Sequence, residues 1–286
     1  MKWMDDITGA IDYIENNITE ELTIADIAKA ALMSPYYFQK GFSMLCGFTV
    51  GEYIRSRRLS LAGSELLSTD AKIIDVALKY GYDSPDSFTK AFTRFHGITP
   101  TAAKKEGATL KSFARLIITI SLKGGISMDY KIADKEAFTV IGVSRMFRYE
   151  DSLQKIPAFW TEHFQSGMGE QICGVYGMCI ESKDGDNEFE YLIADPYTEG
   201  REVTKGLVLK TIPAHTWAIF PCKGALPKAL QDVNGKIFSE WLPNSKDYEI
   251  AAGYNIEMYS DPRGLPMGTQ DENYYSEIWI PVKKVK

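Results

Sequence analysis

The chain has 286 residues, 45% hydrophobic and 24% charged, so it is long enough for two globular domains with buried cores. Its apolar runs are shorter than the ~20 residues that a membrane-spanning helix needs, and the acidic start "MKWMDDITGA" is unlike a signal peptide. The four cysteines form no CxxC pair, which favours a cytoplasmic protein with reduced thiols over a disulfide or a metal site.

The net charge of −6 is distributed unevenly along the chain. Residues 34–123 carry 13 Lys+Arg against 7 Asp+Glu, whereas residues 1–33 carry 2 against 7 and residues 124–286 carry 17 against 24. A local basic surface, more than the overall charge, attracts a polyanion. The sequence therefore places any nucleic-acid contact in the basic middle segment.

A short element occurs twice in this basic segment. "SPYYFQKGFSMLCG" begins at Ser34 and "SPDSFTKAFTRFHG" begins at Ser84, with Ser, Pro, Phe, Lys, Phe and Gly at the same offsets. Serine is a good helix N-cap and proline a good first helical residue, and apolar residues follow at i, i+4 and i+7. Each predicted helix follows a shorter one, in "LTIADIAKAALM" and "AKIIDVALKYGYD", which predicts two helix-turn-helix units.

The second helix of each unit is predicted to present a polar outward face. The stretch "GEYIRSRRLSLAGSELL" between the units predicts one long helix that holds them apart. Two recognition helices about 34–36 Å apart would enter two adjacent major grooves of double-stranded DNA. The alternative is a plain helical bundle whose repeat is accidental.

The segments "ADIAKAALMSPYYFQKGF", "GEYIRSRRLSLA" and "IIDVALKYGYDSPDSFTKAFTRFHGITP" resemble the tandem DNA-binding domain of AraC-type regulators over about 100 residues. The resemblance implies a DNA-binding domain over residues 1–107 and RNA polymerase as a partner. It also implies DNA contacts at matching helix positions: Tyr36, Gln39, Lys40 and Ser43 in the first unit, and Asp86, Ser87, Thr89 and Lys90 in the second.

The second half of the chain has a different pattern. After a connection over residues 108–125, which includes a strand predicted from Arg115 to Leu122, residues 126–286 are rich in strand-like and aromatic segments. A strand, a helix and two strands are predicted twice, from "KIADKEAFTVIGVSRMF" and from "LVLKTIPAHTWAIFPCKG" onward. The fold class predicted for the whole chain is an all-α tandem helix-turn-helix domain followed by an α+β domain of two β-α-β-β half-repeats.

The segments "MDYKIADKEAFTVIGVS", "IPAFW", "LPNSKDYEIAAGYNIEMYSD" and "EIWIPVKK" resemble the GyrI-like small-molecule-binding domain over about 155 residues. A chain that joins both modules resembles Rob-type regulators. The resemblance implies a small-molecule effector, typically an amphipathic or cationic aromatic compound, and a functional glutamate in the closing strand, at Glu277.

The candidate ligand-binding residues are carboxylates among aromatic residues. Alternation in "YSEIWIPV" puts Glu277 and Trp279 on one sheet face, and alternation in "YNIEMYS" groups Asn255, Glu257 and Tyr259. We expect Glu277, Trp279, Glu257 and Tyr259 in one pocket, with Phe147 and Trp160 as further wall residues. Glu277 is the carboxylate expected to bind the cation, because a half-buried charge needs compensation. The alternative is that both glutamates are solvated surface residues.

Other chemistry is sparse in the sequence. The three histidines have no metal-ligand spacing, and no phosphate loop or nucleophile motif occurs. We therefore expect no metal, no cofactor and no catalytic residues. The interpretation is a ligand-responsive transcription regulator without a membrane partner; the alternatives are a GyrI-like hydrolase or a compound-sequestering protein fused to a DNA-binding domain.

Overall fold

The structure is a computed structural model, which describes residues 2–105, 107–118, 128–182 and 188–285. Its first part is helical, with α1 (Lys2–Asn16), α2 (Ile24–Ala30), α3 (Pro35–Cys46), α4 (Val50–Ser68), α5 (Ile73–Lys79), α6 (Pro85–His96) and α7 (Pro100–Ala103). None of the described helices is long and apolar enough to cross a membrane.

The second part is a sheet with helices. Its elements are β1 (Lys131–Lys135), β2 (Phe138–Arg148), α8 (Ser152–Gln165), β3 (Tyr176–Glu181), β4 (Glu188–Pro196), β5 (Val208–Ile212), β6 (His215–Lys223), α9 (Lys228–Lys236), α10 (Leu242–Asn244), β7 (Tyr248–Ile250), β8 (Tyr254–Tyr259) and β9 (Tyr275–Lys284). A π-helical turn over Ile237–Trp241 joins α9 to α10. The predicted fold class is confirmed.

The repeated element forms two capped helices. Ser34 accepts a hydrogen bond from the Tyr37 N–H at 3.4 Å, and Ser84 accepts one from the Ser87 N–H at 3.2 Å. Both α3 and α6 end at a glycine in the left-handed conformation, which is an ordinary helix C-terminal signal. The local sequence therefore fixes the start and the end of both predicted recognition helices.

The two helix-turn-helix units are packed differently. The second unit has a core of its own, which includes Phe88 and Phe92 of α6. The core of the first unit continues into the second part of the chain, since Trp3 of α1 and Tyr37 of α3 both contact the Phe238 ring. The first unit is thus packed against the sheet domain.

The end of α6 is tied to α4 by a buried histidine. His96 Nε2 lies 2.9 Å from the Leu59 carbonyl oxygen, and His96 Nδ1 accepts a hydrogen bond from the Lys111 N–H at 3.2 Å. Both bonds require a neutral ring with its proton on Nε2. Gly63 gives the ring its space on α4, because a Cβ there would lie 2.7 Å from it. Burial lowers the pKa of His96 from its ordinary value.

We expect acid to destabilise this junction. Because the pKa of His96 is lower in the folded than in the unfolded chain, its contribution to stability is complete above about pH 6.5 and decreases as the pH falls below it. Thermal unfolding of the wild type and of His96→Gln between pH 8 and pH 5.5 measures this contribution. A melting temperature that falls equally in both proteins would assign the loss to other groups.

The strands form one antiparallel sheet in the order β1-β6-β9-β8-β3-β4-β2-β5, with β7 paired to β9. Its two halves meet where β3 pairs with β8. The predicted first strand of each half is interrupted and becomes two strands. The first strand of each half then pairs with a strand of the other half: β1 pairs with β6, and β5 pairs with β2. This exchange of edge strands ties the two half-repeats into one sheet.

The sheet has two faces with different neighbours. We call the face that α8 and α9 contact the helix face; it carries Phe220, Ile278 and Ile280. The other, opposite face carries an aromatic and aliphatic cluster that includes Trp217, Ile256 and Trp279.

The connection continues along the helical part. Phe113 packs on Phe48 and Tyr53, and the Leu116 N–H donates to the Tyr53 hydroxyl at 3.2 Å. Residues 115–118 form no strand, so that part of the predicted strand is wrong, while residues 119–122 lie outside the described residues.

Candidate DNA-binding and effector-binding sites

The second recognition helix, α6, presents its predicted contacts to solvent. Asp86, Ser87 and Lys90 are exposed and Thr89 is half-buried. Phe88 and Phe92 on the other side of α6 are fully buried and hold the helix in place. The side of α6 that the sequence assigned to DNA is therefore accessible to solvent.

The first recognition helix, α3, is placed differently from the prediction. Tyr36 is only 2% exposed and Gln39 only 5% exposed, while Lys40 and Ser43 are half-buried. The expectation that Tyr36 and Gln39 lie on an outward face is wrong in this arrangement. Helical periodicity correctly predicts that Phe38 and Phe42 face the core of the first unit. The opposite side of α3, which periodicity predicts to be exposed, is covered by the sheet domain.

Glu277 lies on the opposite face of the sheet and is 5% exposed. Its carboxylate accepts hydrogen bonds from the Tyr275 hydroxyl at 2.6 Å and the Trp279 Nε1–H at 2.5 Å, and lies 3.3 Å from the Lys131 Nζ. Burial raises the pKa of Glu277, but these three donors together hold it below its ordinary value.

These contacts change the expected role of Glu277. The expectation of a bound cation rested on the resemblance and on a buried charge that needs compensation; Tyr275, Trp279 and Lys131 supply that compensation, so only the resemblance still supports it. The Lys135 Nζ also lies 4.4 Å from the Trp279 ring centroid, in a cation–π contact. Two lysines of the protein thus supply positive charge beside Glu277 and Trp279.

The other carboxylate, Glu257, lies on the helix face among aromatic rings. Glu257 accepts a hydrogen bond from the Tyr259 hydroxyl at 2.8 Å, and Trp160 of α8 donates from Nε1 to the Tyr191 hydroxyl at 2.9 Å. The Trp160 and Tyr259 rings are 5.3 Å apart in an edge-to-face contact. Phe147 joins this cluster through its contact with Tyr191 at 6.2 Å.

The predicted single pocket is therefore divided between two faces. Glu257 pairs with Ile278, and Met258 pairs with Glu277, so the two glutamates point to opposite sides of the sheet. Glu257, Tyr259, Phe147 and Trp160 come together as predicted, whereas Glu277 and Trp279 do not join them. We call the cluster of Glu257, Tyr259, Tyr191, Trp160 and Phe147 the helix-face cluster.

Sequence reasoning missed Tyr191, and it put Asn255 on the same face as Glu257 without assigning it to the pocket. Tyr191 links Trp160 to the cluster, and Asn255 lies beside it, paired with Cys179 across the β3–β8 junction. Alternation within "FEYLIAD" and "YNIEMYS" marks both side chains as sharing a face with their strand neighbours. The pairing of strands that are distant in sequence, which brings them together, has no such local signal.

Across residues 2–105, 107–118, 128–182 and 188–285, no group of three His, Cys, Asp or Glu side chains is placed to hold a metal ion. Burial raises the pKa of Cys46 and Cys179 to about 11 and that of Cys222 to about 12, so these three thiols are poor nucleophiles near neutral pH.

Comparison with known proteins bears on both parts of the chain. Residues 27–106 match a helix-turn-helix domain family, and residues 131–282 match the family of integron-associated effector binding proteins.

The HTH-type transcriptional activator AarP of Providencia stuartii is 40% identical over 95 residues, which are 33% of this chain and 70% of AarP. The right origin-binding protein of Escherichia coli K12 is 26% identical over 292 residues, 97% of this chain and 98% of that protein. A solved structure of SAV2435 bound to tetraphenylphosphonium covers 55% of this chain and 94% of its own, at 23% identity and a TM-score of 0.48.

The fold and these matches define a DNA-binding transcription regulator. The chain belongs to the AraC-type regulators through its helix-turn-helix part and to the integron-associated effector binding protein family, which is GyrI-like, through its sheet domain. It has the Rob-type order of the two modules.

Proposed function

We propose that this regulator responds to an amphipathic or cationic aromatic compound that binds at the helix-face cluster. Residues 1–107 bind two adjacent major grooves of DNA and residues 126–286 bind the effector. RNA polymerase is the further partner expected of such a regulator, and no cofactor is required.

The observation that carries this proposal is the position of Glu257. Its carboxylate is half-buried and accepts a hydrogen bond from the Tyr259 hydroxyl, and the Tyr259 ring in turn contacts Trp160. Aromatic faces attract a cation by ~0.5–2 kcal/mol, most strongly when both are removed from water. A carboxylate among such rings suits a ligand that carries both a positive charge and apolar surface.

We expect Glu257→Gln to weaken the binding of tetraphenylphosphonium by about 10–100-fold, or ~1.4–2.8 kcal/mol. The substitution removes the negative charge but keeps an oxygen that can accept the Tyr259 hydrogen bond. Isothermal titration of the full-length protein with this cation measures the change. Binding of the uncharged analogue triphenylphosphine oxide should change much less.

Glu277→Gln is the matched control, because it makes the same change on the opposite face. We expect it to bind tetraphenylphosphonium like the wild type. Loss of binding in Glu277→Gln alone would move the site to the opposite face, where the sequence pattern had placed it. Equal binding by the wild type and both variants would exclude a carboxylate-based cation site.

A hydrolase is the second candidate, since Glu257 and Tyr259 form a carboxylate–phenol pair of the kind used in general acid–base catalysis. Burial raises the pKa of Tyr259 well above its ordinary value, so this phenol stays protonated and donates. The relatives are named as transcription regulators, which favours a binding role. Mass spectrometry of electrophilic compounds incubated with the protein distinguishes the two, since a hydrolase would consume them catalytically.

A further inference from the structure

The first recognition helix docks beside the helix-face cluster through specific contacts. The Tyr36 hydroxyl donates to Asn255 Oδ1, and the Tyr37 hydroxyl donates to the Tyr254 carbonyl oxygen at 2.8 Å. At the start of α3 the Tyr36 N–H donates to Glu181 Oε1 at 3.0 Å. Two side chains of α3 and one backbone N–H at its start thus donate hydrogen bonds to β3 and β8.

Lys40 brings a positive charge to the same place. Its Nζ lies 3.2 Å from both Asn255 Oδ1 and the Tyr36 hydroxyl, and both of these partners are neutral. Burial raises the pKa of the Cys179 thiol, the Lys40 ammonium opposes this rise, and the Glu257 carboxylate adds to it. The Lys40 ammonium and the Glu257 carboxylate therefore both act electrostatically on one buried thiol.

Aromatic rings surround α3 on the sheet domain. The Tyr36 ring lies 6.1 Å from both Tyr149 and Phe189, and the Tyr37 ring lies 6.5 Å from Phe238. Tyr36 and Lys40 together thus place a ring and a cation among aromatic side chains, as an aromatic cation would.

Two glycines allow this close approach. A Cβ at Gly41 of α3 would lie 3.2 Å from the Phe238 ring and 3.1 Å from the Trp3 ring. A Cβ at Gly253 would lie 1.9 Å from a Glu181 carboxylate oxygen. Glycine in a helix interior is unfavourable by ~1 kcal/mol relative to alanine, so Gly41 weakens α3 itself but permits its docking.

Some buried polar atoms at the contact between α3 and the sheet domain lack a hydrogen-bond partner among the described residues. These atoms are Gln39 Nε2, Asn255 Nδ2 and the Tyr149 hydroxyl oxygen. Unsatisfied buried polar atoms are costly, and DNA or water would satisfy the Gln39 amide once α3 is released. We therefore expect α3 to separate from the sheet domain more easily than from the apolar core around Phe38 and Phe42.

We propose that α3 covers the edge of the effector site of its own chain at Asn255, so that a bound effector, which needs this space, releases the first recognition helix to enter DNA. This rests on the proposed function in one respect, that the effector binds at the helix-face cluster. The effector's rings and charge replace Tyr36 and Lys40 beside Asn255. Since the effector and the docked helix exclude each other, effector and DNA each raise the affinity for the other by the same factor.

The test compares Glu181→Lys with Glu272→Lys in the full-length protein. Lysine at 181 removes the acceptor of the Tyr36 N–H and puts a positive charge at the positive end of the α3 dipole. Glu272 is exposed, so its variant adds the same charge without touching α3. We expect Glu181→Lys to bind a duplex selected from a random library about tenfold more tightly than Glu272→Lys, without effector.

Saturating tetraphenylphosphonium should raise the DNA affinity of the wild type by a similar factor and that of Glu181→Lys far less. If titration shows no binding of this cation, the proposed effector class fails, and the two lysine variants alone decide whether α3 is docked. Equal DNA affinity of the two lysine variants would overturn the proposal. If Glu181→Lys does not fold, Gly41→Ala replaces it, because the added Cβ opposes docking from the α3 side, and the same tenfold rise over the wild type is expected.

Discussion

An Asp195→Ala variant is expected to lose about 4 kcal/mol of its free energy of unfolding, because three backbone N–H groups would lose their acceptor. Asp195 is 7% exposed. Its carboxylate accepts from the N–H groups of Cys173, Gly174 and Val175 at 2.8, 2.9 and 3.0 Å.

This carboxylate also helps to position the helix-face cluster. The segment that it holds leads directly into β3, and Gly174 lies under the Trp160 ring, which would be 2.5 Å from a Cβ at that position. Losing the segment would therefore disturb Trp160 as well as the sheet. We expect both a lower melting temperature and weaker cation binding in the Asp195→Ala variant.

Urea unfolding followed by circular dichroism measures the loss, with Asp195→Asn as the control. Asparagine keeps one acceptor oxygen, so its loss should be about half as large. If both variants unfold at the same urea concentration as the wild type, the three hydrogen bonds contribute nothing to stability.

The second large effect is on DNA binding. We expect Lys90→Ala to weaken binding to the selected duplex by ~1–3 kcal/mol, or roughly 5–150-fold, because Lys90 is exposed on α6. Lys228→Ala removes the same charge from an exposed lysine of the sheet domain, which is paired with Asp232, and should have little effect.

Lys40→Ala should weaken DNA binding less than Lys90→Ala without effector. It removes the DNA contact that we propose for Lys40 but also removes a hydrogen bond between α3 and Asn255, and these two changes act in opposite directions. With tetraphenylphosphonium present, the effects of the two variants should become similar. Unchanged affinity in both variants would contradict binding in two grooves.

Much of the fold could be predicted because its signals are local. Ser34 and Ser84 mark helix starts, Gly47 and Gly97 mark helix ends, and alternation assigns Glu257 and Tyr259 to one side of a strand. Each of these signals depends on residues within one element or its ends.

The site could be predicted only in part, because two of its features depend on distant segments. The register of β8 against β9 puts Glu257 opposite Ile278, and nothing within either strand specifies that pairing. The burial of Tyr36 depends on Asn255, more than 200 residues away, so the outer face of α3 could not be recognised as a buried surface.

The most direct measurement of the central claim is guanine methylation protection on the selected duplex with the full-length protein. Guanine N7 lies in the major groove, so protection reports which grooves are occupied. We predict one protected segment without effector, from α6, and two segments about one helical turn apart with saturating tetraphenylphosphonium. Two equally protected segments in the absence of any effector would contradict the account.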